Sequence, residues 1–233
     1  MNISLTALVP VYNESATVGI LLEKLLEINE IDKIVVVDDC SNDKSAEIVR
    51  NLIKNDNYNK ITLLSTSKNI GKGGALKLGF QTIVTSHVVI QDADLEYDPL
   101  DLKDLIYQTN NNPSSLILGS RFIGDKHRNN KYLRTYVANF IMSKIFSIVF
   151  KTPTTDIATC YKIYPMSFIK KIHIKEPGFT IEVELLAKFI KFSKRFIEVP
   201  ITYNARSYAE GKKIKTIDGF KYILCILKYR FID

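Results

Sequence analysis

Residues 88–98 read VVIQDADLEYD, an apolar β-branched run that passes into carboxylates on alternate residues, Asp92, Asp94, Glu96 and Asp98. In an extended chain this spacing turns Asp92, Asp94 and Glu96 to one side. Like charges repel. Two carboxylates 4 Å apart cost about 4 kcal/mol at an effective dielectric of 20, so the cluster must be well solvated or share a cation. A hard divalent ion with oxygen ligands meets the second condition. Mg2+ is usually held by one or two carboxylates together with substrate phosphates, which makes a diphosphate the natural third party. The competing reading is a solvated acidic turn in which Asp98-Pro99 caps the next helix.

The elements that must position this cluster follow from periodicity. Residues 3–9 form a strand, residues 15–29 place Val18, Leu21, Leu22, Leu25 and Leu26 at helical spacing, and residues 33–37 form a second strand ending in Asp38-Asp39. Ser41 is the expected N-cap of the next helix, residues 60–65 a third strand, and the glycine-rich stretch 69–74 the opening of a third helix. The fourth strand ends at the acidic cluster, a helix starts at Pro99, and residues 115–120 form a further strand. Alternation of this kind predicts a mostly parallel sheet flanked by helices, whose ligand crevice lies beyond the carboxyl ends of the strands. Pro10 to Glu14, Asp38 with Asp39, and Asp92 with Asp94 all fall at such ends. The amides of Gly71 to Gly74 stand at a helix start, where an anion is welcome, and Lys72 adds a positive charge.

The chain has 233 residues, 46% of them hydrophobic, enough for one α/β domain over residues 1–233. Cys40, Cys160 and Cys225 lie far apart without metal-ligand spacing, which argues against a disulfide framework or a zinc site and for a reducing cytosol. The first residues lack the features of a signal peptide and read as a strand. Residues 1–120 carry 10 basic and 16 acidic side chains, whereas residues 121–233 carry 22 and 9. An acidic half suits a metal and a basic half suits an anionic partner.

The stretches VPVYNE (9–14), VVDDCSND (36–43), NIGKGGALKLG (69–79), DAD (92–94) and GSRF (119–122), in that order, resemble glycosyltransferase family two. More narrowly they resemble its dolichol-phosphate mannosyltransferase-like branch. The likeness continues through Thr155-Asp156, residues 160–162, 179–185 and 199–206, and Gly211-Lys212-Lys213. It implies a GT-A nucleotide-diphospho-sugar transferase fold, with residues 1–122 as the nucleotide-sugar half and residues 123–233 as the acceptor and membrane-surface half. It further implies that Pro10, Tyr12, Glu14, Asp38 and Asp39 hold base and ribose, with Gly71 and Lys72 also on the nucleotide-sugar. Asp92 and Asp94, with Glu96, would hold Mg2+ or Mn2+ on the diphosphate. For Asp38-Asp39 the alternative is helix capping, which needs only one of them.

In the second half, residues 132–150 are apolar on most faces of a helix, interrupted by Arg134 and Lys144, which suits either a helix lying in a membrane interface or a core helix. Arg121 and Arg134 flank its start as candidates for an acceptor phosphate. Residues 179–191 read as a helix with Glu182 and Glu184 in its first turn; Glu184 matches the family's glutamate, and Glu182 suits the helix dipole. Residues 204–215 bring Arg206, Lys212, Lys213 and Lys215 around Gly211, like the family's mobile loop, with Arg206 and Lys213 as further phosphate ligands.

The resemblance thus implies a metal-dependent inverting enzyme moving a hexose from a GDP-mannose or UDP-glucose type donor to a polyprenyl phosphate. The enzyme would sit peripherally on the cytoplasmic face of an anionic membrane, with no nucleic-acid partner. Asp92, Asp94 and Arg206 would act in catalysis. The alternative is a soluble family-two transferase acting on a sugar or protein hydroxyl, which needs a base; Asp156 and Glu184 are the candidates. A nucleotide-sugar or lipid-surface binding module is the non-enzymatic rival.

Overall fold

In the computed structural model, which describes residues 3–55, 59–207, 211 and 216–233, the first half alternates as its periodicity demands. The order is β1 (Leu5–Val11), α1 (Val18–Leu26), β2 (Lys33–Asp38), α2 (Ser45–Asn55), β3 (Ile61–Ser65), α3 (Gly71–Phe80) and β4 (His87–Ile90). A short 3-10 turn at Pro99–Asp101 leads into α4 (Leu102–Asn111) and β5 (Leu116–Ser120). The second half adds β6 (Arg128–Asn129), α5 (Leu133–Phe150), β7 (Lys162–Pro165), α6 (Met166–Ile169), α7 (Ile181–Phe192), β8 (Phe196–Pro200), β9 (Tyr203–Asn204) and α8 (Thr216–Phe231).

Seven strands form one sheet in the order β3-β2-β1-β4-β7-β5-β8. β1, β2, β3 and β4 pair in parallel, as do β5 and β8; β7 runs antiparallel between β4 and β5. The continuous apolar runs of β1, β2 and β4 are what a sheet covered on both faces requires, and nearly every residue in them is buried. α1 buries Val18, Leu21, Leu22 and Leu25 against that sheet, the face its helical spacing defined.

Some elements depart from expectation for local reasons. β4 stops at Ile90, so the acidic residues lie on a turn rather than on a strand, with Leu95 in the left-handed region at φ 57°. Alternation therefore does not set where their side chains point. α2 starts at Ser45, whose amide donates to Asp43 at 2.9 Å, while Ser41 accepts from the Asn13 amide at 2.9 Å instead of capping the helix. Asp98 does cap the turn at Pro99, accepting from the Leu100 amide. α5 is long and apolar enough to cross a membrane by length and composition, and 22% of it is buried. It packs on α8, burying Met142, Ser143, Phe146 and Phe150, and exposes Leu133, Ile141 and Ile148.

Candidate functional site

A cavity of about 380 Å3 opens at the carboxyl ends of β1 and β4 and is closed on the far side by α5 and α8. Pro10, Tyr12, Glu14, Asp39, Gly71, Lys72, Asp92, Asp94, Glu96, Arg121 and Arg206 all reach its wall, so the sequence clusters do converge. Thr135, Asn139 and Met142 of α5 and Tyr222 of α8 complete it. That side of α5 is therefore a cavity wall.

The floor is the acidic turn. Gln91, fully buried, accepts from the Tyr161 hydroxyl at 2.7 Å and donates to the Asp92 carbonyl at 2.9 Å, which ties the start of the turn to the residue preceding β7. Tyr97 at the end of the turn packs between Tyr161 and Tyr203, with ring centroids 5.0 and 5.4 Å away. Held in this way, Asp92 pairs with Lys72 at 2.7 Å, and Asp94 takes the Arg206 guanidinium at 3.1 Å. Glu96 accepts from the Tyr203 hydroxyl at 2.7 Å and from the Arg206 amide at 2.8 Å, which makes it a clamp on the 203–206 segment.

Desolvation dominates the electrostatics of this floor. Burial, reinforced by Asp92 and Glu96, pushes the Asp94 carboxyl up to about 7 despite Arg206 beside it. A further cation would relieve that strain. Among the described residues no three His, Cys, Asp or Glu side chains group to hold a metal. Asp92 and Asp94 alone suit an ion that takes its remaining ligands from a diphosphate.

Lys72 continues the charge network inward. Its ammonium lies 2.9 Å from Glu182, and Glu182 is gripped at 2.6 Å by the fully buried Lys162. Burial opposes the charge on Lys72, yet Asp92 and Glu182 hold it well above the ordinary lysine range. Glu182 is likewise opposed by burial and held below the ordinary carboxylate range by Lys162 and Lys72. Its Oε1 faces the Lys72 ammonium and its Oε2 faces Lys162. Glu182 is the cavity residue that sequence reasoning undervalued. The signal lay in its neighbours: Ile181, Val183, Leu185 and Leu186 are apolar, so a carboxylate among them is drawn into the core and must be paired.

Other expected residues have different partners. The Gly71 to Gly74 amides do not await an anion: Gly71 donates to Asp39 at 2.8 Å, as does Ile70, and Gly73 and Gly74 donate to the Pro177 carbonyl at 2.8 and 3.2 Å. Asp39 thus caps α3. The glycines serve close approach, since a Cβ at Gly73 would lie 2.0 Å from the Glu176 carbonyl oxygen, and Gly71 has φ 78°. Asp38 lies outside the wall, buried, with Oδ1 lacking a hydrogen bond.

The two candidate bases are structural. Asp156 is fully buried, and its oxygens accept from Arg121 Nε at 2.7 Å, Arg121 Nη2 at 2.9 Å and the Arg121 amide at 3.0 Å. Glu184, also fully buried, accepts from the Lys175 and Glu176 amides and from Lys188. Neither reaches the cavity wall. The phosphate-binding set also separates. Arg121 is closed onto Asp156 and stacked under Tyr203, 4.8 Å from its ring centroid. Arg134 is exposed beside Tyr132, and Arg206 faces Glu14 and Asp94. Lys212, Lys213 and Lys215 lie outside the described residues.

Comparison with known proteins places this geometry. Undecaprenyl-phosphate 4-deoxy-4-formamido-L-arabinose transferase of Edwardsiella ictaluri is 27% identical over 89% of the chain and 62% of its own length. Dolichyl-phosphate beta-glucosyltransferase of Dictyostelium discoideum is 27% identical over 94% and 69%. The chain spans about two thirds of these curated relatives, whose activities belong to the longer proteins. Glucosyl-3-phosphoglycerate synthase from Mycobacterium tuberculosis, solved with Mn2+, UDP-glucose and phosphoglyceric acid, superposes with TM-score 0.78 at 14% identity. That likeness covers 99% of this chain and 81% of that one. The same synthase has also been solved with Mg2+ and UDP, so the expected Mg2+ or Mn2+ cofactor has a counterpart in this fold.

These structures correct the narrower expectation. Solved structures that match nearly the whole chain include glucosyl-3-phosphoglycerate synthase in complex with phosphoglyceric acid. The dolichol-phosphate mannosyltransferase-like assignment, the polyprenyl phosphate acceptor and the anionic membrane partner do not stand. Of the expected lipid-phosphate ligands among the described residues, Arg134 lies outside the cavity wall, and Arg121 on the wall is closed onto Asp156. What remains is the α/β GT-A fold and the match of residues 6–173 to the glycosyl transferase family 2 profile, by which the chain belongs to that family of enzymes.

Proposed function

We propose that the protein is a divalent-metal-dependent transferase that moves a sugar from a UDP-sugar to a hydroxyl of a soluble acceptor. The observation that carries this is the half-buried Asp92–Asp94 pair on the cavity floor, where desolvation together with Asp92 and Glu96 raises Asp94 to about 7, an arrangement that suits an ion shared with a diphosphate. When bound, the ion would screen the charge that grows on the leaving diphosphate. Tyr12 and Asp39 at the wall beyond β1 and β2 are in reach of the nucleoside, and Glu14 orients Arg206 toward the diphosphate side.

A hydroxyl acceptor must give up its proton as its oxygen bonds to the anomeric carbon and the bond to the diphosphate breaks. With Asp156 and Glu184 withdrawn from the cavity, Glu182 is the candidate carboxylate that reaches its wall, with the Lys72 ammonium 2.9 Å from Oε1. Lys162 and Lys72 keep it ionised and fixed.

The test is UDP release from a panel of UDP-sugars, UDP-glucose among them, with Mn2+ or Mg2+ and with 3-phosphoglycerate or simple sugars as acceptors. Metal-dependent release that requires a hydroxyl acceptor is expected. UDP-sugar binding that is indifferent to metal would overturn the reading.

A further inference from the structure

Each aspartate proposed to hold the ion already has a resident cation. Lys72 Nζ lies 2.7 Å from Asp92 Oδ1 and 2.9 Å from Oδ2, so the ammonium straddles the carboxylate. Asp94 receives Arg206 Nη2 on Oδ2 at 3.1 Å, and its Oδ1 accepts the Glu96 amide at 3.1 Å. Every oxygen that a metal would use is in contact with a donor. Nor are these cations loose: the Lys72 side chain is 9% exposed and that of Arg206 15%.

The two cations are held in a similar way. Lys72 sits between Asp92 and Glu182, and Arg206 between Asp94 and Glu14 with Glu96 Oε1 4.0 Å from its Nε, so each keeps a carboxylate behind the one on the metal side. The rear carboxylates are themselves fixed, Glu182 by Lys162 at 2.6 Å and Glu14 by the Thr17 hydroxyl, which donates to Oε2 at 3.2 Å. Removing the front partner leaves each cation tethered in the cavity.

We infer that Lys72 and Arg206 compete with the divalent ion for Asp92 and Asp94, so that the ion binds well only together with a nucleoside diphosphate. The inference rests on the metal role proposed for that pair. Asp92 and Asp94 each have a side-chain cation on the carboxylate that an ion would use. A dication arriving alone must strip both cations of their front partners and sit beside them, an arrangement of like charges in a partly buried site. A diphosphate arriving with the ion supplies ligands to the metal and new anionic partners to Lys72 and Arg206. Glu14 and Glu182 keep the displaced cations within reach of those phosphate oxygens. Metal and donor then enter as a unit, and binding of each raises the affinity of the other by the same factor.

Mn2+ titrations by calorimetry or electron paramagnetic resonance, on the protein alone and with saturating UDP or GDP, test this without turnover. In the wild type, Mn2+ should bind at least tenfold more tightly with one of the nucleotides than alone. In Lys72→Met and in Arg206→Met, affinity for Mn2+ alone should rise at least tenfold, and the gain from nucleotide should shrink. Arg206→Met carries the test if Lys72→Met does not fold. Equal Mn2+ affinity with and without nucleotide in the wild type, or unchanged or weakened binding of Mn2+ alone in the variants, would overturn the competition. The underlying metal role fails separately: Asp92→Asn and Asp94→Asn would then bind Mn2+ with nucleotide as tightly as the wild type.

Discussion

The Arg121 guanidinium closes on both oxygens of Asp156, at 2.7 and 2.9 Å, in a pair with the carboxylate fully buried. Asp156→Asn leaves that guanidinium without its counter-charge under Tyr203. Breaking a buried pair from one side typically costs about 3–5 kcal/mol. Urea unfolding should show a loss of this order. A fully stable Asp156→Asn variant with abolished turnover would restore Asp156 to a direct catalytic role.

Glu182→Gln should lose stability for the same reason, since it leaves the buried Lys162 without its counter-charge. The amide also cannot take a proton, so turnover of the folded variant should fall by about 10²-fold or more while donor KM changes little. Steady-state kinetics with a hydroxyl acceptor decides it. An unchanged kcat would remove Glu182 from the proton path.

Gly73→Ala tests the docking of residues 176–178 on α3. The new Cβ would meet the Glu176 carbonyl oxygen at 2.0 Å, so the segment must lift away from the α3 amides. Overpacking of this kind costs about 1–3 kcal/mol. A lowered melting temperature together with faster amide exchange at residues 73 and 74 is expected; unchanged exchange would mean that the segment is not held there.

Acid stability should carry the mark of Asp43. Burial raises its carboxyl, but hydrogen bonds from Ser45 and Ser15 outweigh it and bring the pKa from 3.8 to about 2. The folded value is the lower one, so the stabilisation is present above about pH 4 and is lost as pH falls toward about 2. Asp43→Asn should flatten the fall of unfolding free energy over that window. A variant whose profile matches the wild type would remove Asp43 from the acid response.

The parts of the fold that were legible in the sequence are those that local pattern dictates. β1, β2 and β4 announce themselves as continuous apolar runs, and the parallel alternation they set up locates the crevice where Tyr12, Asp92 and Asp94 meet. What local pattern cannot show is which distant group answers a polar atom. Pro177 takes the amides of Gly73 and Gly74, Arg121 takes Asp156 across 35 positions, and two backbone amides take Glu184. A glycine-rich helix start, an aspartate and a glutamate look functional until those partners are known. Lys162 is a related case: the stretch 160–162 is matched in the sequence, but nothing local shows that its lysine is wholly buried with Glu182 opposite.

β7 runs between β4 and β5, antiparallel to both. The strand that leads into the acidic turn is therefore bordered by a strand made some seventy residues later, and Tyr161 reaches Gln91 across that seam. A fragment cut after residue 122 would leave β4 as an open edge, free to pair with another chain, and would lack the Tyr161 brace under the acidic turn. Residues 1–122 are thus a region of the sequence and not a separable piece: the support of the acidic turn comes into being only when the ribosome has finished β7.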